Sequence, residues 1–278
     1  MKKLAVILFI LSIFFELHAT KFSGEALANL EFKIEMTPWD KVEELLPRNS
    51  NFTVIDVGTG KRFKVQRRAG SSHADVQPLT HHDTKIMKEI YGGEWSWMRR
   101  AVLIQSDNLL IAGSMHGMPH GAGAIQNGFP GHFCIHFKGS TTHKTQSPDL
   151  SHHLMILKAG GKLDSYLNGL APKPLVDAFL AGIKNKDQDL IRRTITNRNA
   201  DLKILNEIQA VKWQTSMVAS KENSFIKEIN ADLKLHLNDK GPVSSRVSFT
   251  VVKTSPMAPW KVDESALIKL LKERKVVE

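Results

Sequence analysis

The chain has a single cysteine, Cys134, among its 278 residues, so it cannot form an internal disulfide bond. Long apolar runs are also scarce. After residues 4–15, no segment approaches the roughly 20 residues that a membrane-spanning helix needs. The His-Glu-x-x-His pattern of many zinc peptidases does not occur. A lone cysteine is buried filler, an intermolecular link or a reactive thiol, and its neighbours decide between these.

The first residues have the pattern of an export signal. Residues 1–19 contain two lysines, then the apolar run, then a polar stretch that ends at Ala19. This order predicts a signal peptide cleaved after Ala19, and no transmembrane segment remains once it is removed. No cysteine lies near the cleavage point, which excludes a lipoprotein anchor. We therefore expect a secreted protein of the cell envelope.

The chain is basic, with a formal net charge of +10 at pH 7. Such a charge favours polyanionic partners without choosing among them. An exported chain meets anionic wall polymers or lipid headgroups rather than nucleic acid, so we expect no nucleic-acid partner.

The length predicts two domains after a lead-in segment. The lead-in, residues 20–50, contains a short helix at WDKVEELL. Residues 51–163 show two hairpin patterns, two helical stretches and a loop system rich in glycine and histidine, which together predict a mainly β domain. A proline-containing linker, LNGLAPKP, follows. Residues 164–278 contain paired helices and then alternating strands, which predict a smaller α+β domain.

The cysteine has histidines on both sides. His132, Cys134 and His136 alternate along the chain, so in an extended strand their side chains point to the same face. A neighbouring imidazolium lowers the pKa of a thiol, which gives a thiolate nucleophile at neutral pH.

The segment around this cysteine resembles the catalytic motif of the L,D-transpeptidase (YkuD-like) family. That family carries a His-Gly pair, a loop, and then Ser-His-Gly-Cys-x-Arg, on a β-rich domain. Here His116-Gly117 matches the pair and GHFCIH, residues 131–136, matches the second element. The resemblance implies a β-sandwich or barrel with Cys134 as nucleophile and His116 as its base. It also implies that the Gly117 carbonyl orients that base and that His132 lines the oxyanion region.

Two residues of the motif differ from the family, since Phe133 and His136 replace its glycine and arginine. A second His-Gly pair begins at His120, fourteen residues before the cysteine, and competes with His116, whose interval of eighteen is favoured. In the preceding WSWMRR segment, Trp97 either belongs to the core or packs against the substrate. Arg99 is a candidate to bind a carboxylate of a peptidoglycan stem peptide through paired hydrogen bonds. The predicted substrate-binding residues are therefore Phe133, His136, His120, Arg99 and Trp97.

The resemblance implies an exported enzyme that transfers acyl groups of peptidoglycan stem peptides, as an L,D-transpeptidase or L,D-carboxypeptidase, without a cofactor. Two alternatives stay open. One is a zinc-dependent wall peptidase that uses His73, Asp75 and His81, with Cys134 as a further ligand. The other is a non-catalytic wall-binding protein on the same scaffold. The C-terminal half resembles an NTF2-like or cystatin-like domain, which implies an accessory or recognition module.

Overall fold

The computed structural model of the protein describes residues 33–142, 147–218, 225–238 and 241–276. The predicted signal peptide, residues 1–19, and the first part of the lead-in lie outside the described residues. In the ranges that are described, no helix combines the length and the apolar character needed to cross a membrane.

The first half of the chain is rich in β-strands. Its elements are β1 (Ile34–Glu35), α1 (Trp39–Leu45), β2 (Asn51–Asp56), β3 (Arg62–Ala69), β4 (Ala74–Pro78), α2 (His81–Ile90), β5 (Arg100–Ser106), β6 (Leu109–Met115) and β7 (Phe133–His136). Strands β2 to β7 form a closed barrel in the order β6-β5-β2-β3-β4-β7, because β7 also pairs with β6. All these pairings are antiparallel, and β1 adds to β6 in parallel.

Alternation along the barrel strands fills the interior with apolar side chains. Val54, Val65, Val76, Ile104 and Ile135 are fully buried in one core. Successive side chains of a strand point to opposite faces, so the residues between them lie on the outer surface of the barrel. The predicted mainly β first part is therefore confirmed as a barrel-shaped core.

Two local signals produce the expected elements of the barrel. The Thr80 and Asp83 side chains form a capping box at the start of α2, each accepting a hydrogen bond from the other's backbone N–H. The predicted hairpin of β2 and β3 turns at Thr59 and Gly60. Asp56 accepts hydrogen bonds from the backbone and hydroxyl of Thr59, and Gly60 has a φ of +70°.

The predicted lead-in helix is α1, and it belongs to the barrel's own core. Trp39, Val42 and Leu46 are buried there, and the Trp39 ring stacks on Phe137 with 6.0 Å between ring centroids. The described part of the lead-in therefore covers the barrel.

The second half combines helices with a separate sheet. Its elements are α3 (Leu150–Ala159), α4 (Leu163–Asn168), α5 (Pro172–Lys184), α6 (Gln188–Thr194), a 3-10 helix (Lys203–Glu207), β8 (Ile208–Met217), β9 (Ile226–Leu237), β10 (Gly241–Val252), β11 (Lys261–Val262) and α7 (Ser265–Val276). The strands form an antiparallel half-barrel in the order β11-β10-β9-β8. Helices α5 and α7 cover its apolar face.

The two halves share a helical layer. Leu154 and Met155 of α3 pack in one cluster with Ala112 of the barrel and with Ala178 and Ala181 of α5. The predicted proline linker is wrong in extent, because α5 already begins at Pro172 and only residues 169–171 connect it to α4. Proline is tolerated in the first turn of a helix, where the missing N–H has no intrahelical partner.

Candidate functional site

The candidate site lies on the outer face of β4, β7 and β6. On β7, Phe133 and Ile135 point into the barrel core, whereas Cys134 and His136 point outward. The prediction that Phe133 binds substrate is therefore wrong. Its ring is fully buried against Phe63 and Phe129, with centroid distances of 6.2 and 5.7 Å.

Cys134 is almost fully buried, with 2% of its surface exposed. It lies directly opposite Asp75 in the β4–β7 pairing, and cross-strand partners of this kind have neighbouring side chains. The thiol donates to Asp75 Oδ1 at 3.5 Å, and His120 Nε2 lies 3.3 Å from Sγ. The single proton of the thiol therefore has two acceptors.

The backbone explains why His120 meets the cysteine. His120 and His132 exchange two backbone hydrogen bonds of 3.0 and 2.9 Å, which folds the loop back onto β7. His120 Nδ1 lies 3.1 Å from the carbonyl of Met118. A carbonyl oxygen only accepts, so Nδ1 carries the proton and Nε2 of the neutral ring is the acceptor that faces Sγ.

His132 lies beside this pair. Its Nδ1 is 3.0 Å from the Ala122 carbonyl and its Nε2 is 3.9 Å from Asp75 Oδ1. The ring centroids of His120 and His132 are 4.5 Å apart. The predicted shared face of His132, Cys134 and His136 thus brings all three to one side of β7.

His116 follows β6 and is also close to the cysteine, because its ligand atom lies within 4.8 Å of those of His120 and Cys134. It is buried, and its Nδ1 has no hydrogen-bond partner among the described residues. Gly117 donates its N–H to the Ser96 carbonyl, and a Cβ there would meet the Tyr91 ring at 2.4 Å. The assignment of His116 and Gly117 as base and orienting group stays a prediction, and the contact with the thiol at hydrogen-bond distance is made by His120.

Three further histidines form a stack beside Cys134. The His136 ring lies between those of His73 and His152, with centroid distances of 4.5 and 3.8 Å. His73 Nδ1 is 2.8 Å from the Thr141 carbonyl and its Nε2 is 3.3 Å from Asp75 Oδ1. His152 of α3 is buried, with 3% of its surface exposed, and its Nδ1 lies 2.9 Å from Ser114 Oγ. The sequence Ser-His-His on α3 has no helical periodicity of apolar residues that would predict the burial of His152.

A cleft of about 680 Å³ opens over these groups. Trp97, half exposed, and Arg99 line this cleft, and their role in substrate binding stays a prediction. His81, predicted as a possible metal ligand, lines a separate concavity beside Gly128 at the start of α2. The residues that line the cleft are Trp97, Arg99, His116, His120, Cys134, His136, Thr142, Ser147, Pro148, Asp149, Leu150 and His152.

Burial sets the protonation of the cleft. Burial raises the pKa of the Cys134 thiol well above its ordinary value, and the charge of Asp75 and its hydrogen bond raise it further. Burial also lowers the pKa values of His116 and His152 well below the usual range, with the positive charge of Arg99 adding to the effect. The thiol and these two imidazoles are therefore neutral at pH 7.

In the part of the chain that the structure describes, two sets of side chains could hold a metal ion. One consists of His116, His120 and Cys134, and the other of His73, Asp75 and Cys134. In each set the ligand atoms lie within 4.8 Å of one another. Nitrogen, oxygen and thiolate ligands of this kind suit zinc. Both sets share Cys134, so an ion bound at either set would be coordinated by the same sulfur atom that is the candidate nucleophile.

Comparisons with known proteins identify no relative of this chain, so any proposal about its function depends on the geometry of the site and on the sequence. No protein-family model, curated protein or solved structure matches the chain.

Proposed function

We propose that this protein is an exported cysteine acyl-transfer enzyme that acts on peptidoglycan stem peptides. One observation carries the proposal: Cys134 Sγ lies 3.3 Å from His120 Nε2, while the Met118 carbonyl holds the opposite nitrogen of that ring. This arrangement pairs a nucleophile with an oriented general base at the edge of a cleft. We assign His120, rather than His116, as the base.

The thiol is neutral at pH 7, so it loses its proton as it attacks. His120 Nε2 takes the proton from Sγ while Sγ bonds to the carbonyl carbon of the peptide bond between an L-centre and a D-centre. The imidazolium then protonates the leaving nitrogen, the carbon–nitrogen bond breaks, and D-alanine departs. The thioester that remains on Cys134 is resolved by an amine, which forms a cross-link, or by water, which completes hydrolysis.

The choice of substrate rests on the resemblance of His116-Gly117 and residues 131–136 to the L,D-transpeptidase motif. A β-rich barrel that carries the cysteine is compatible with the catalytic domain of that family. The second half, with paired helices on a curled antiparallel sheet, is compatible with an NTF2-like accessory module. The predicted export signal and the net charge of +10 agree with a place among anionic wall polymers.

The direct test uses a soluble stem tetrapeptide and mass spectrometry. The wild-type protein is expected to release D-alanine and to show an acyl adduct on Cys134, whereas Cys134→Ser does neither. His120→Gln is expected to slow release by about 10² to 10⁴, the usual contribution of a general base. His82→Gln is the matched control, because His82 is an exposed histidine on α2 outside the cleft. Stem binding without release in the wild type would refute catalysis and favour the wall-binding alternative.

A zinc-dependent wall peptidase is the second candidate. It is favoured by the spacing within His73, Asp75 and Cys134, where Asp75 Oδ1 lies 3.3 Å from His73 Nε2 and 3.5 Å from Sγ. Removal of metal by a chelator distinguishes the two. D-alanine release that survives chelation but not Cys134→Ser supports the thiol mechanism, and the opposite pattern supports zinc.

A further inference from the structure

Arg99 lies in the cleft with a hydrogen-bond donor that no described group uses. Its side chain is 14% exposed, and its Nε is buried without a hydrogen-bond partner. Among the described residues, the guanidinium donates to the Trp97 carbonyl through Nη1 and, at 3.3 Å, to Asp149 through Nη2. A guanidinium has five N–H donors and binds carboxylates in pairs of bonds, so this one retains capacity for an anion.

The backbone of Arg99 is fixed by the second half of the chain. Its N–H donates to Asn185 Oδ1 at 2.8 Å, and the Asn185 amide is anchored in turn on the Ala181 carbonyl. The neighbouring Arg100 is different, because both of its bonds of 2.7 Å go to Asp56. Only Arg99 of this pair lines the cleft with Cys134.

Arg99 brings a permanent positive charge to the cleft that contains the thiol. Burial keeps His116 and His152 neutral, and Arg99 and Asp149 are the guanidinium and the carboxylate among the described lining residues. The Arg99 charge also acts on Cys134, where it opposes the effect of Asp75 on the thiol pKa. Asp149, 3.3 Å from Nη2, satisfies this guanidinium only in part, so the remaining donors could bind a carboxylate of the substrate.

We propose that Arg99 binds a carboxylate of the acyl donor while Cys134 attacks its carbonyl group. The chemical class of the substrate is then a peptide with a free carboxylate near the scissile bond, in preference to the corresponding amide. The identity of that peptide as a wall stem rests on the proposed function, but the carboxylate subsite does not.

The test compares the reactions of the Cys134 thiol with two alkylating reagents, one of which carries a carboxylate and the other a neutral amide. Iodoacetate and iodoacetamide are each added at about pH 9, and intact mass follows the alkylation of Cys134 by both. Because the pKa of this thiol is raised, both reactions are slow, and the ratio of their rates removes the small thiolate fraction that they share. The ratio of the iodoacetate to the iodoacetamide rate is divided by the same ratio for a small neutral thiol. We expect Arg99→Gln to lower this normalised ratio by about tenfold or more, the factor that one charge-assisted hydrogen bond contributes. Arg62→Gln, an exposed arginine on β3, is the control and leaves the ratio unchanged.

A second measurement is independent of the thiol's reactivity. Saturation-transfer NMR compares N-acetyl-D-alanine with its amide on the wild type, Arg99→Gln and Cys134→Ser, each checked for folding by circular dichroism. We expect the carboxylate alone to bind to the wild type and to Cys134→Ser, and Arg99→Gln to lose it. Equal binding of acid and amide, or binding that survives in Arg99→Gln, overturns the subsite. Retained carboxylate binding with no D-alanine release from a stem peptide would instead refute only the proposed function.

Discussion

The raised pKa of the buried thiol predicts how the free energy of unfolding changes with pH. Burial and Asp75 raise the pKa of Cys134 in the folded protein above the value of about 8.5 that an unfolded cysteine has. A group whose pKa is raised by folding favours the folded state at pH values below its unfolded pKa. That contribution is lost as the pH rises from the unfolded pKa towards the folded pKa, because only the unfolded thiol then ionises.

The magnitude follows from the size of this window. Each pH unit between the two pKa values costs about 1.36 kcal/mol of the free energy of unfolding. From about pH 8.5 to pH 10, the wild type should therefore lose about 2 kcal/mol relative to Cys134→Ser, whose hydroxyl does not titrate. Tyr91 and other alkaline groups are common to both proteins, so their contributions cancel in the difference.

The assay is urea unfolding followed by tryptophan fluorescence, at a series of pH values from neutral to about pH 10. The quantity to plot is the difference in unfolding free energy between the wild type and Cys134→Ser. A difference that stays constant across the window refutes the raised pKa. A depressed pKa, as in a resting thiolate–imidazolium pair, has the opposite signature: the wild type would gain stability with rising pH below about pH 8.5.

Three further predictions concern the cleft and the division of the chain. His120→Ala should lower acylation of Cys134 by a carbapenem by about 10² to 10⁴, as intact mass would show, and His116→Ala should have a smaller effect. Equal losses would contradict the assignment of the base. Asp75→Asn should lower the thiol pKa and shift the pH midpoint of iodoacetamide labelling downward, because a negative charge 3.5 Å from Sγ is removed. Residues 51–163 alone should lack a cooperative thermal transition, because they omit both α1 and the α5 side chains that cover α3; a sharp transition would show that the barrel folds independently.

The sequence by itself determined most of the local structure. The Thr80–Asp83 capping box and the Gly-Thr-Gly turn after Asp56 have local causes, so the helix and the hairpin lie where the pattern predicts them. Alternation of apolar residues from Ile229 to Leu237 and from Val247 to Val251 likewise predicted the antiparallel strands of the second half. The structure pairs them as Ile226–Leu237 and Gly241–Val252. Strand alternation also placed His132, Cys134 and His136 on one face, since that face depends only on sequence parity.

Only the tertiary structure decided which groups meet the thiol. The interval along the chain favoured His116, but the backbone bonds between His120 and His132 direct the loop so that His120 contacts Sγ. Asp75 reaches the cysteine because β4 and β7 pair in the closed barrel. These contacts arise from loop path, strand pairing and helix packing, which bring together residues far apart in sequence, and no local pattern in the chain encodes those distances.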